Sequence, residues 1–139
     1  MDSKVENNIL AVRLYAGENF IKELSEAFRN TEKNTGIVLS AAGMMKDAKL
    51  GYFMGGGEYR ENVFSIPREI VSLTGNLVSS SDGFFGHLHV SLADDDGKVV
   101  GGHLHRAMVH GTGEVFVYIC DMNITRKMEE ETKLKGLKL

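Results

Sequence analysis

Gly86-His87-Leu88-His89-Val90-Ser91-Leu92-Ala93-Asp94-Asp95-Asp96-Gly97-Lys98-Val99-Val100-Gly101-Gly102-His103-Leu104-His105 is the stretch on which the fold turns, and it holds four of the chain's five histidines. Two His-x-His pairs flank an acidic segment that ends in glycine. In a β-strand every second side chain shares a face, so each pair presents two imidazoles together. Turn length decides whether the two pairs meet. A two-residue loop at Asp96-Gly97 sets His87 opposite Arg106 and His89 opposite Leu104, so the pairs face opposite ways. A three-residue loop, Asp95-Asp96-Gly97, is a type I turn closed by a left-handed glycine. It pairs Asp94 with Lys98, His89 with His103 and His87 with His105. A four-residue loop from Asp94 to Gly97 separates them again, and a β-bulge shifts any of these counts by one.

The chain has 139 residues, a size that suits one domain with a single core. Its 42% hydrophobic and 25% charged content, with one proline, fits a globular chain that folds along most of its length. No apolar run approaches the roughly 20 residues of a membrane helix, and the Met1–Glu6 start lacks a signal-peptide core, so a cytoplasmic location is expected. Cys120, the sole cysteine, falls in an apolar strand pattern and reads as a buried small hydrophobe. Net charge is −3, which sets up no overall field for nucleic acid. The tail from about residue 125 carries Arg126, Lys127, Lys133, Lys135 and Lys138 against Glu129, Glu130 and Glu131. It reads as a solvated segment in which Leu134, Leu137 and Leu139 dock.

Outward from the hairpin, Ile9–Leu14 alternates as a strand with Arg13 on the polar side. Gly17-Glu18 opens the one firm helix, whose apolar positions Phe20, Ile21, Leu24, Ala27 and Phe28 follow the 3.6-residue period, with a stop at Asn34-Thr35-Gly36. Glu18 is expected in its first turn, at the positive end of the helix dipole. Ile37–Ala42 and Ala48–Met54 read as two strands joined by Met44–Asp47. Gly55-Gly56-Gly57 follows a strand and leads into extended sequence, which favours a hairpin loop over a phosphate cradle. Residues 62–66, stopped by Pro67, form an edge or terminating strand, and 69–78 a long one in which Gly75 marks a bulge or close backbone approach. Ser79–Gly83 is a turn cluster, and Val115–Cys120 is the most strongly β segment and should be central. The sum is an α+β domain, mainly antiparallel sheet with one helix packed on it. One sheet face then lacks intrachain cover, which predicts self-association.

Arg13-Leu14 with Gly17-Glu18, Glu69–Asn76, His87-Leu88-His89-Val90-Ser91-Leu92-Ala93 and Gly101-Gly102-His103-Leu104 resemble the plants-and-prokaryotes-conserved (PPC) domain, also called DUF296, over nearly the whole chain. The resemblance implies one such domain over residues 1–139, a trimer-forming fold shared with acetolactate decarboxylase, and homotrimeric assembly. In plant members an AT-hook precedes this domain and binds DNA. The hook needs an Arg-Gly-Arg-Pro core for the minor groove, and none of this chain's six arginines is followed by glycine, so a DNA-binding role rests on the family alone. Acetolactate decarboxylase holds zinc by three histidines in a similar His-x-His then Gly-Gly-His arrangement. The matching positions here are His87, His89 and His103; His105 has no counterpart and stays a second-choice ligand or neighbour on register grounds.

Three neutral imidazoles bind Zn²⁺ and leave a fourth tetrahedral position open, whereas a fourth histidine would close the site. Two functions are therefore expected: a homotrimeric zinc-binding module with a regulatory or DNA-associated role, or a small zinc-dependent lyase or hydrolase. The second also needs an acid or base and a charge to position substrate. Arg13 is the candidate anion clamp, Glu114 or Glu69 the base, and Tyr118 a further candidate.

Overall fold

Alternation along each strand decides where the core sits. In the computed structural model, which describes residues 1–80 and 83–139, Leu10, Val12 and Leu14 point inward while Arg13 points to solvent. The elements run β1 (Asp2–Glu6), β2 (Ile9–Tyr15), α1 (Phe20–Arg29), β3 (Thr35–Gly55), β4 (Glu58–Phe64), β5 (Arg68–Ser80), β6 (Gly83–Ala93), β7 (Val99–Cys120), β8 (Thr125–Met128) and β9 (Lys135–Lys138). The architecture is the expected α+β one, mostly antiparallel sheet with a single helix among the described residues. Seven strands form one sheet in the order β1-β2-β7-β6-β5-β3-β4, and an additional β3–β7 pairing closes β7, β6, β5 and β3 into a ring. β8 and β9 pair only with each other.

Val115, Val117 and Ile119 make β7 the central strand, hydrogen-bonded to β2 on one side and β3 on the other. β3 corrects the sequence reading. Ile37–Ala42 and Ala48–Met54 are parts of one strand, and Met44–Asp47 bends it without ending it. Its register against β7 shifts between Val38 and Ser40, Gly43 and Met44, and twice between Lys46 and Leu50. Asp47 takes a left-handed φ of 50° within the third irregularity. Bulges add residues to one strand and bend it, so β3 pairs with β5 through Thr35–Ile37 and Met44–Met45, then with β4 from Ala48 onward. β4 is the edge strand expected before Pro67, and Gly55–Gly57 is the hairpin loop before it.

α1 covers one side of the core with Phe20, Leu24, Ala27 and Phe28, and the Phe28 ring meets that of Phe84 at 5.8 Å. Burying each phenyl group contributes roughly 2–3 kcal/mol. The helix boundaries differ from the sequence reading. Asn19 is the N-cap and accepts from Lys22 N at 3.0 Å, so Glu18 lies outside the first turn. Glu18 instead accepts from Tyr15 N at 2.8 Å and pairs with the Met1 amino group. The helix ends at an Asn30 cap because its apolar period ends with Phe28, and β3 then takes Thr35 and Gly36. Two hairpins escaped the sequence reading: β1–β2, turned by Asn7 and Asn8 at φ 48° and 64°, and β8–β9 in the charged tail. Of that tail's three leucines only Leu134 is half-buried. Leu137 and Leu139 are 45% and 91% exposed, contrary to the expected docking. Cys120 is half-buried, at the end of β7. Of the predicted turn at Ser79–Gly83, Ser81 and Asp82 lie outside the described residues.

Candidate metal centre

The β6–β7 turn settles the register. Asp94 N donates to Lys98 O at 3.0 Å and Gly97 N to Asp94 O at 3.0 Å, while Gly97 takes φ +78°. This is the three-residue loop Asp95-Asp96-Gly97 closed by a left-handed glycine. The Asp94 carboxylate holds it, accepting from Lys98 N at 2.8 Å and Asp96 N at 3.2 Å and pairing with Arg68 at 3.2 Å. Chiefly the Lys98 backbone bond holds this carboxyl below its usual pKa. His89 consequently stands opposite His103. Leu88, Val90 and Leu104 fill the core from the inner face, so the four histidines project from the outer one.

The structure gathers three of them. His87, His89 and His103 each offer a ring nitrogen, and those atoms lie within 4.8 Å of one another. Nε2 of His87 and Nε2 of His89 are 3.2 Å apart. Two nitrogens bound at about 2.0–2.1 Å on a tetrahedral ion stand roughly 3.3 Å apart, so this edge already has the spacing of a ligand pair. The group also has the right protonation. Burial, followed by His105, His87 and His89, pushes the His103 pKa down to about 4. Burial, then His89 and Arg126, lowers that of His87. Both rings are thus held neutral, the form that binds metal. His103 Nδ1 is buried without a hydrogen-bond partner, an arrangement a native fold rarely leaves unanswered.

His105 stands apart. Its ring packs 4.7 Å from that of His103 and edge-on to Tyr59 at 4.9 Å, outside the three-nitrogen group. A Cβ on Gly51 would fall 2.3 Å from its Nε2, so glycine at 51 is what admits the ring. Tyr59 arrives through the β3–β4 hairpin, where it pairs with Phe53. Together Phe53, Tyr59 and Leu134 wall a cleft of about 470 Å³ over His87, His89 and His103. On β5, Gly75 lets the strand approach β6 where His87 emerges, since a Cβ there would lie 2.0 Å from the His87 carbonyl oxygen.

The other sequence candidates lie elsewhere. Arg13 and Glu114 pair across β2 and β7 on an exposed face, with the Arg13 guanidinium 5.3 Å from the Tyr15 ring. Glu69 and Tyr118 are exposed on β5 and β7. None of the four lines the histidine cleft. A cation missed by sequence reasoning takes the adjoining place. Arg126, on β8, is 9% exposed, donates from Nη1 to Lys135 O at 2.7 Å and from Nη2 to Asn76 Oδ1, and lies 4.4 Å from the Phe85 ring centre. In sequence it is one more charge in a charged tail, and no motif marks it.

Fold and site together define an α+β domain with a ring-closed antiparallel sheet that displays three clustered imidazoles on its outer face. The chain belongs to the Plants and Prokaryotes Conserved domain family, whose sequence profile matches residues 1–121. A metal-containing protein from Archaeoglobus fulgidus superposes with a TM-score of 0.85 at 30% identity, covering 99% of this chain and 97% of that one. A plant- and prokaryote-conserved protein from Pyrococcus horikoshii gives 0.81 at 26% identity, over 99% and 97%. A candidate DNA-binding protein from Bacteroides thetaiotaomicron gives 0.91 at 24% identity over 99% and 96%, and shows the shared fold. Among curated sequences the chain is 33% identical over 108 residues to the bifunctional protein GlmU of a Synechococcus strain, covering 77% of this chain but spanning only 16% of that protein. No helix among the described residues is long and apolar enough to cross a membrane.

Proposed function

We propose that this protein is a homotrimeric, single-domain zinc-binding module in which His87, His89 and His103 hold the metal, with a regulatory role exerted on DNA through partners or the assembled surface. The observation that carries the metal reading is the cluster of three outward imidazole nitrogens, two of them already 3.2 Å apart. Its donor set suits Zn²⁺, and the A. fulgidus relative is described as metal-containing. His105 supports the His103 ring and takes no part in ligation.

Self-association has its own support. On β3 and β7, Ile37, Leu39, Phe116 and Tyr118 form an outward apolar stripe, 38–55% exposed, backed by the inward Val38, Val115 and Val117. Such a patch marks an interface in a soluble protein. For DNA the support is the description of the B. thetaiotaomicron neighbour, while this chain's net charge of −3 gives no general attraction to phosphate. Gel shifts on A·T-rich duplex at about 50 mM salt test that part, and no shift there overturns direct binding.

The open cleft of about 470 Å³ beside the three nitrogens favours a second reading, a small zinc-dependent lyase or hydrolase. Against it, no carboxylate among the described residues lines that cleft, and beside the imidazoles the acid–base groups on its walls are the hydroxyls of Tyr52 and Tyr59. Metal analysis of purified protein decides the first point: about one zinc per chain is expected in the wild type and none in a His87→Ala, His89→Ala variant. Retention of full zinc in that variant would refute the metal site. Turnover of small esters or oxoacids abolished by the same substitutions would establish the second reading instead.

A further inference from the structure

Arg126 poses a physical problem that the metal reading leaves unsolved. Its side chain is nine-tenths buried, yet the partners of its guanidinium are neutral: the Asn76 amide oxygen, the Lys135 carbonyl and the Phe85 ring. Among the described residues it makes no ion pair, and its Nε is buried with no hydrogen-bond partner. A buried cation is costly unless an anion meets it, and a guanidinium has five N–H donors, of which two are used here.

Its location says what is missing. Arg126, Asn76, Thr132 and His87 line a cleft of about 260 Å³, and His87 and Leu134 line both this cleft and the one over the imidazole cluster. Asn76, which grips Arg126, is the direct cross-strand partner of His87. Opposed residues in an antiparallel pair have Cβ atoms about 5 Å apart, so the cation's anchor is one side-chain width from a proposed ligand. Glu129 also lines the cleft, but its carboxylate accepts from Thr132 Oγ1 at 2.9 Å and presses on the Gly136 backbone, where a Cβ would lie 2.0 Å away.

We propose that this cleft is an anion subsite: Arg126, positioned by Asn76, binds the carboxylate or phosphate group of a small ligand whose other end reaches the site of His87, His89 and His103. The subsite deepens the metal reading for the far end of the ligand, while the grip of Arg126 on the oxyanion stands without metal. A carboxylate or phosphate matches the planar fork of arginine. The short span limits the ligand to a few carbons, and the β8–β9 hairpin that supplies Arg126 and Leu134 forms its outer wall.

The test titrates succinate and, separately, inorganic phosphate at constant ionic strength into zinc-loaded and zinc-stripped protein. Binding is read by calorimetry and by the ¹⁵N-resolved Arg Nε–H resonances. The expected result is saturable binding of at least one oxyanion with a shift of one Arg Nε–H signal, and at least tenfold weaker binding in Arg126→Met. Binding of succinate alone assigns a carboxylate, and of phosphate alone a phosphoryl group. The Nε–H readout uses wild-type protein with its Arg126 signal assigned through the side-chain carbons to the backbone, so it decides the matter even if Arg126→Met does not fold. Absence of binding by both anions, or equal affinity in a folded Arg126→Met, overturns the subsite. Zinc content measured on the same samples separates the two readings: Arg126-dependent anion binding in protein that takes up no zinc keeps the subsite and refutes the metal.

Discussion

Replacing Gly75 by alanine tests whether backbone packing between β5 and β6 holds the proposed metal ligands in place. The new Cβ would sit 2.0 Å from the His87 carbonyl oxygen, 2.9 Å from its carbon and 3.0 Å from Leu88 Cα. All three are backbone atoms, so no side chain can swing aside, and the strands must part by about an ångström to restore a van der Waals contact. Gly75 also has φ +143°, outside what an L side chain readily adopts. About 1–2 kcal/mol for the backbone conformation and about 1–3 kcal/mol for overpacking give a destabilisation of about 2–5 kcal/mol. At this chain length that lowers the melting temperature by roughly 10 °C. Because the displaced atoms belong to His87, zinc affinity should fall by about 10–100-fold, the usual effect of disturbing the groups that orient ligands. Gly43→Ala supplies the control. Its Cβ meets the Thr112 carbonyl oxygen at 2.1 Å, an equally severe clash between β3 and β7, where Gly43 stands opposite Gly113 in the middle of β7 and away from His103. Both variants are melted without metal by circular dichroism, then titrated with zinc against a chromophoric chelator. A Gly75→Ala protein that melts within about 2 °C of wild type, or whose zinc affinity falls no more than that of Gly43→Ala, would refute the reasoning.

Three further outcomes are expected. The zinc-stripped protein should lose stability in acid. With the His103 pKa held at about 4 in the folded chain and near 6.5 when unfolded, the stability is full above pH 6.5 and is lost as pH falls towards 4. The loss is about 2 kcal/mol once solvent screening in this half-open cleft is allowed for, and urea unfolding at pH 7.5 and 4.5 should show it. His103→Ala should abolish zinc uptake, while His105→Ala should retain it with at most a modest loss of affinity, as measured by equilibrium dialysis. Equal loss in both would make His105 a fourth ligand. Finally, Ile37→Glu with Phe116→Glu should shift sedimentation from trimer to monomer at micromolar concentration and leave the zinc content unchanged, because both residues lie on the exposed β3 and β7 stripe.

The sequence carried the histidine cluster because its determinants are local. Whether His89 meets His103 depends on one turn, and Asp94, Asp96 and Gly97 between them narrow that turn to a few options. Alternation likewise made β2 and the end of β7 plain. Features set by distant partners stayed hidden. Glycine at 51 has meaning only once His105 and Tyr59 are packed against it. β3 read as two strands because its bulges imitate a turn, and only pairing to β7 on one side and to β5 then β4 on the other keeps it continuous. Arg126 was invisible for the same reason: its anchor, Asn76, lies 50 residues earlier in the chain. Arg13, conspicuous on an alternating strand, pairs with Glu114 away from the cleft.

Ring closure of β7, β6, β5 and β3 leaves the large sheet two free borders, β1 and β4. β1 is exposed throughout and carries Asp2, Lys4 and Glu6, while β4 carries Glu58, Arg60 and Glu61. Charged, short borders discourage a neighbouring copy from adding its own strand. Addition of a neighbour's strand at these borders is thereby disfavoured, which leaves the faces of the sheet as the surfaces on which copies can meet.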